Sequence, residues 1–299
     1  MAERQPNIHH QAEQVASSLP PLLVAADRVA STVSQGVHGR RRVGQGETFW
    51  QFRRYQWGDA TQTIDWRQSA KSQPVYVREN EWEAAQSVWL WRDSSASMDY
   101  RFSRNGVTKG ARADLLFLAL ASLLLRGGEH IAALGTGTPP RSGRGALHRL
   151  AAMVEADAAA AGPQAARSGL PKVEALPRYA HVVWIGDFLS PLAEVKATID
   201  GFARRGLRGH LLQVLDPAEE TLPFSGRIRF EGTEQEGHAL IGRVESVRDE
   251  YKDLMRNHRQ GLMALAQAME WTFAVHHTDH SPEAALLALY MGMSAHLGN

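Results

Sequence analysis

From residue 87 onward the chain alternates short, β-rich apolar runs with helical runs, and this rhythm restricts its fold more than any other feature. "SVWLW" (87–91), "HIAAL" (130–134), "HVVWIG" (181–186), "HLLQVL" (210–215) and "TFAVH" (272–276) read as strands. Between them the spacing predicts helices over 109–126, 145–158, 191–205 and 245–270, with a last one over 282–296. Ser190-Pro191 and Ser281-Pro282 each read as an N-cap followed by a first-turn proline, and Gly127 and Gly206 suit the opposite ends. Strands alternating with helices predict an α/β fold, an open, mostly parallel sheet with helices on both faces.

Three stretches depart from the rhythm. Residues 20–33 place Leu22, Ala26, Val29 and Val33 at helical spacing, which predicts an amphipathic helix packed on the main body. From Gly36 to Trp66 the text turns to glycine, arginine and aromatics and reads as loop-rich with short extended pieces, while "PVYVREN" (74–80) alternates like an edge strand. "GRIRFEGTEQEGHALIGRVE" (226–245) reads as an antiparallel hairpin, and the Ala, Gly and Pro-rich text near 156–172 as a helix end running into a surface connection. The expected organisation is a helical extension (1–35), an arginine and aromatic-rich flap with an edge strand (36–84), and an α/β domain (85–299) carrying the inserted hairpin.

Composition removes several function classes. With 33 Lys+Arg against 32 Asp+Glu the net charge is +1, so no global field draws nucleic acid or an anionic membrane. The absence of cysteine excludes disulfides, thiolate zinc sites and thiol nucleophiles. "LLFLALASLLL" (115–125) is far shorter than the roughly 20 residues of a membrane span and reads as a buried helix. The start "MAERQPNIHHQAEQ" has no apolar signal core, which predicts a cytoplasmic protein.

In an open parallel sheet, ligands gather beyond the carboxyl ends of the strands, where strand order reverses. Asp93 follows the first strand in "VWLWRDSSASMDY", and Asp187 follows the third in "VVWIGDFLS", so both face one crevice. Asp93, Ser95 and Ser97 present oxygens at alternate positions of one loop, a donor set that suits a hard cation such as Mg²⁺ or Mn²⁺. Two other readings stand beside it: an Asx-type turn after a strand, and a nucleophilic serine, although no G-x-S-x-G elbow is present.

"DSSAS" fits the Asp-x-Ser-x-Ser pattern of the metal-ion-dependent adhesion site of von Willebrand factor A-type domains, which are open, Rossmann-type α/β folds, and Asp187 fits the later aspartate of that site. The text from Arg41 to Glu83, with "GDATQTIDWR", and the later "DPAEETLPFSGRIRFEG" and "WTFAVHHTDHSPEAALLALY" resemble the DUF58 family of bacterial proteins over roughly residues 36–295. The resemblance implies a von Willebrand A-like module that works beside a MoxR-type AAA+ ATPase in chaperone-like maturation of a client. It also implies a second-loop threonine ligand, for which "GTGTPPRSGRGAL" offers Ser142, or Thr138 further back. Gly186 and Phe188 flank the aspartate where the pattern has Thr or Ser and then Gly.

Two other clusters carry a bland and a sharp reading each. "HHTDH" (276–280) holds several ligand atoms, but adjacent residues at a strand end point apart, which disfavours zinc. Arg53, Arg54, Trp57, Asp59, Asp65 and Trp66 mix basic, aromatic and acidic groups. The acids argue against nucleic acid, leaving a structural tie or a protein-docking face. The sequence thus predicts a non-catalytic, cytoplasmic adaptor holding Mg²⁺ or Mn²⁺ through Asp93, Ser95, Ser97, Asp187 and Ser142. The alternative is a metal-dependent hydrolase that uses the same oxygens.

Overall fold

The computed structural model describes residues 21–36, 43–56, 64–71, 74–81, 86–159, 168–233 and 237–296. Two compact units emerge: Gln35–Gln86, and the remainder of the chain.

In the larger unit, β3 (Ser87–Arg92), β4 (His130–Ala133), β5 (His181–Gly186), β6 (Arg208–Leu215) and β9 (Thr272–His277) form one sheet in the order β4-β3-β5-β6-β9. All its strand pairs are parallel. β5 is buried at every position, as a central strand covered on both faces must be. The helices of this unit are α1 (Pro21–Gly36), α3 (Lys109–Arg126), α4 (Arg144–Ala159), α5 (Leu192–Ala203), α6 (Pro217–Thr221), α7 (Arg248–Ala268) and α8 (Pro282–His296). A single turn, α2 (Trp66–Ser69), belongs to the smaller unit.

One face of the sheet packs on α5 and α7 through Val195, Ile199, Phe202, Leu262 and Ala266. Trp184 of β5 is the centre of that layer, meeting Phe202 and Trp271 edge-on with ring centroids 5.3 and 5.1 Å apart. Gly209 of β6 leaves room for this arrangement, because a Cβ there would fall 1.9 Å from the Trp271 ring. On the other side of the sheet α3 lies across β3, β5 and β6, with its residues Leu116–Leu124 buried. α1 lies on α3, where Asp27 accepts from Ser122 at 2.8 Å and pairs with Arg126 at 2.5 Å. No helix among the described residues is long and apolar enough to cross a membrane.

The hairpin forms as β7 (Ile228–Glu231) against β8 (His238–Ile241). The edge strand read at 74–80 forms as β2 (Tyr76–Glu81), paired antiparallel with β1 (Val43–Arg54) in a separate two-stranded sheet. The 12-residue β1 is longer than the short extended pieces read in this loop-rich stretch; register shifts beside Phe49 break the two-residue period by which a strand is recognised. Pro191 is the N-cap of α5 with ψ 135°, not its first helical residue, so Ser190 lies outside the helix. The outer edge of β4 is closed by residues 136–141: Ile131 exchanges both backbone hydrogen bonds with Arg141, and the Thr136 hydroxyl donates to Ala133 O.

Arg92, at the end of β3, pairs with Asp114 and with Asp157, each at 2.9 Å. Burial pushes the Asp114 carboxyl up to about 6 against the pull of Arg92, and Asp157 adds to the rise. A carboxyl whose folded pKa lies above its unfolded value binds its proton more tightly when folded, so stability falls as pH rises from about 4 to about 6. Asp114→Asn removes that cost. Its stability should gain about 2 kcal/mol on the wild type between about pH 4 and pH 7, read from urea midpoints, and an equal difference at both ends would refute this.

Candidate functional site

The chain runs from β3 outward to β4 and then returns past β3 to β5, so the loops leaving β3 and β5 diverge and open a crevice. Asp93 and Asp187 lie at its floor, both buried, and the Asp93 N–H donates to Ile185 O at 2.7 Å. Asp93 Oδ1 accepts from the Ser95 N–H at 2.8 Å, which is the Asx-turn bond, and residues Ala96–Asp99 close a 3-10 turn behind it. Ser95 Oγ is 3.0 Å from Ser97 Oγ, and Ser97 Oγ donates to Asp187 Oδ2 at 2.6 Å. Asp93, Ser95, Ser97 and Asp187 therefore converge. Ser142 and Thr138 do not join them: both are exposed beyond β4, and neither lines the crevice.

Two residues that were not legible as site residues complete the cluster. Lys109 is the first residue of α3, behind its N-cap Thr108, and is fully buried. Its Nζ lies 2.9 Å from Asp187 Oδ2 and 2.5 Å from Glu219 Oε1, with the Tyr100 ring centroid 5.9 Å away. Burial pulls the ammonium down, but Asp187 and Glu219 push it further up, so its pKa ends above the ordinary lysine value. Glu219 is aimed by the capping box of α6: the Asp216 N–H donates to Glu219 Oε2 at 2.8 Å, while Asp216 Oδ1 accepts from the Ala218 N–H. Burial raises the Glu219 carboxyl despite the pull of Lys109. Each residue left a signal in the sequence: "DPAE" spells a capping box, and a lysine opening an apolar helix opposes the helix dipole unless carboxylates face it.

Above the cluster opens a pocket of about 420 Å³, lined by Ser95, Ser97 and Asp187 on its floor and by Glu194, Glu219 and Glu231 among its walls. Among the described residues carboxylates outnumber cations here: Lys109 lies under the floor and Arg229 pairs with Glu231 at 3.2 Å.

A divalent ion has to be weighed against Lys109. Bound directly to Asp187 Oδ2 at about 2.1 Å, it would sit at most about 5 Å from an ammonium that is itself 2.9 Å from the same oxygen. The repulsion is then at least about 7 kcal/mol at an effective dielectric of about 20. The hydroxyls and carboxylates suit a cation, but they do not fit a divalent ion on Asp187 Oδ2 beside that ammonium.

The flanking residues hold Asp93 and Asp187 together. A Cβ on Gly186 would lie 2.8 Å from Asp93 Cβ, so a threonine or serine there would drive the strand-end loops apart. Phe188 adopts φ +51°, the left-handed conformation that glycine takes easily, and it is held by complete burial and by His258 Nε2 at 2.7 Å from its carbonyl.

The other candidates lie apart. In "HHTDH", His276 meets Arg112 at 3.0 Å and His277 meets Glu220 at 2.9 Å, so the two rings serve different partners. Burial foremost, with Arg112 next, lowers His276 to about 4. In the smaller unit Asp65 caps α2 by accepting from the Gln68 N–H at 2.8 Å. Trp66 is 68% exposed, Arg54 is exposed, and Arg53 donates to Arg54 O at 3.0 Å. Trp57 and Asp59 lie outside the described residues.

The family described as "Protein of unknown function DUF58" matches residues 51–261. The uncharacterized proteins Rv1480 of Mycobacterium tuberculosis and Mb1516 of Mycobacterium bovis are each 27% identical over 260 residues, covering 82% of this chain and 79% of theirs. Among solved structures, an aerotolerance-related membrane protein from Bacteroides fragilis has a TM-score of 0.35 at 14% identity, and BatB from Bacteroides thetaiotaomicron one of 0.30 at 13%. Each covers 71% of this chain and 100% of its own.

The close approach at Gly186 yields a test. Gly186→Ala should lose about 1–3 kcal/mol in chemical denaturation, because neither Asp93 nor the strand can move away freely. Unchanged stability would show that the loop carrying Asp93 gives way readily.

Proposed function

The chain belongs to the DUF58 family, and from that premise we propose that it is a non-catalytic docking module of the von Willebrand A-like kind, with the strand-end pocket as its docking point. Its partner in this reading is a MoxR-type AAA+ ATPase or the client that such an ATPase matures. An ATP-driven partner puts the encounter in the cytoplasm. The observation that carries the reading is that the polar groups beneath the pocket are engaged with one another. Ser97 donates to Asp187, Asp187 also receives Lys109, and both oxygens of Glu219 are taken by Lys109 and the Asp216 N–H. A hydrolase built on the same oxygens needs a base with a free lone pair next to its nucleophile, and a carboxylate already neutralised by a lysine is a poor one.

The pocket walls support docking by another protein. Glu194 and Glu231 offer negative charge, and Leu189, 39% exposed, lies among them. Phe102, 52% exposed, meets Phe224 edge-on, and Phe224 meets Phe230 of β7 likewise, an aromatic row that adjoins in sequence the pocket residues Tyr100 and Glu231. Aromatic anchors beside charged groups are what interface hot spots are made of. The complementary partner surface carries a basic side chain flanked by apolar ones. Trp66 and Arg54 are a second docking face within the smaller unit.

Charge reversal separates docking from catalysis. Glu194→Lys with Glu231→Lys should weaken binding of a purified MoxR-type ATPase by about tenfold or more, measured by interferometry, at a cost of no more than about 1–2 kcal/mol in stability from the first turn of α5 and the Arg229–Glu231 pair. Full binding by the double variant would remove the pocket as docking point. Hydrolysis of ester, peptide or phosphate substrates by the pure chain, abolished by Ser97→Ala, would return the hydrolase reading.

A further inference from the structure

The nitrogen of Lys109 stands among the oxygens of Asp187 and Glu219, one bond away from Ser97 through Asp187, with none of its surface exposed. We propose that Lys109 is the permanent cation of this Asp-x-Ser-x-Ser crevice, occupying by covalent attachment the position that a divalent ion would otherwise take, so that the crevice is assembled without metal.

Three features hold the ammonium there. Thr108 caps α3 by accepting from the Ala111 N–H, which fixes where the lysine stem leaves the helix. Asp187 Oδ2 receives the ammonium and the Ser97 hydroxyl together, so one oxygen joins the lysine to the serine loop. Glu219 arrives from beyond β6, outside the Asp-x-Ser-x-Ser loop and its later aspartate, with one oxygen held by the capping box and the other on the ammonium. A bound metal is lost on dilution or chelation, whereas a side chain stays. The consequence is a pocket without an open coordination position: a partner carboxylate has no metal to bind, and docking persists in EDTA. The inference concerns the cation alone and is independent of which protein docks.

Manganese tests it directly. Free Mn²⁺ followed by electron paramagnetic resonance should show no binding to the full-length wild type up to about 1 mM, a range in which weak oxygen sites already fill. Lys109→Ala empties the position beside Ser97, Asp187 and Glu219 and should bind Mn²⁺ at least about tenfold more tightly than the wild type. Wild-type binding below about 1 mM that disappears in Asp187→Asn would overturn the proposal in favour of Mg²⁺ or Mn²⁺ held by Asp93, Ser95, Ser97 and Asp187. Silence from both chains would overturn it as well, since removing the lysine would then have uncovered no cation site.

A second arm covers the case in which Lys109→Ala does not fold. Lys109→Met leaves two buried carboxylates without their cation, and adding Asp187→Asn removes one of them, so the double variant should melt above Lys109→Met alone. A double variant that melts at or below the single one would show that the ammonium does not neutralise this site.

Discussion

Three loops leave three different strands of the sheet and converge on one ammonium nitrogen. Lys109 comes from the segment that follows β3, Asp187 from the end of β5, and Glu219 from the helical turn after β6. Taking these charges out of water is costly, and only their mutual pairing offsets it, so removing a single member strands a buried charge at a cost of about 3–5 kcal/mol. The loops therefore cannot move one at a time. The pocket above them is thereby preorganised, and in the docking reading proposed above this would save part of the ordering cost of binding.

That arrangement also explains why serines cluster behind Asp93. Ser95 turns the chain through its N–H on Asp93, and Ser97 carries a hydroxyl to Asp187, so one serves the turn and the other the link between loops. Gly186 and Phe188 serve the same end from the other side. The first lets Asp93 approach β5, and the second takes a left-handed backbone angle that its burial and His258 sustain.

The parallel sheet was legible because its strands are short apolar runs separated by well-marked helices. Asp93 and Asp187 were legible as neighbours because each directly follows a strand, and the reversal of strand order between β3 and β5 brings strand ends together. Lys109 and Glu219 were not, since they lie 78 and 110 positions from their partners Asp187 and Lys109, and no local pattern reports a contact of that range. The full length of β1 escaped because its bulges interrupt the two-residue period. Pro191 was misplaced by one role, because a proline's fixed φ suits the N-cap as well as the first turn, and only ψ distinguishes them. Ser142 follows its loop outward, where the segment beyond β4 turns back to pair with that strand rather than toward the crevice.

That return pairing has a consequence for how the molecule behaves among its own copies. An edge strand with free backbone donors and acceptors is a template on which another chain can polymerise. At Ile131 both backbone groups are already bonded to Arg141, and the neighbouring outward carbonyl, that of Ala133, is taken by the Thr136 hydroxyl. β4 thus offers little for sheet extension, and fibril-like growth from this side of the fold is blocked by a loop of six residues, 136–141. Shortening that loop would leave the pocket chemistry untouched and make the protein prone to aggregate.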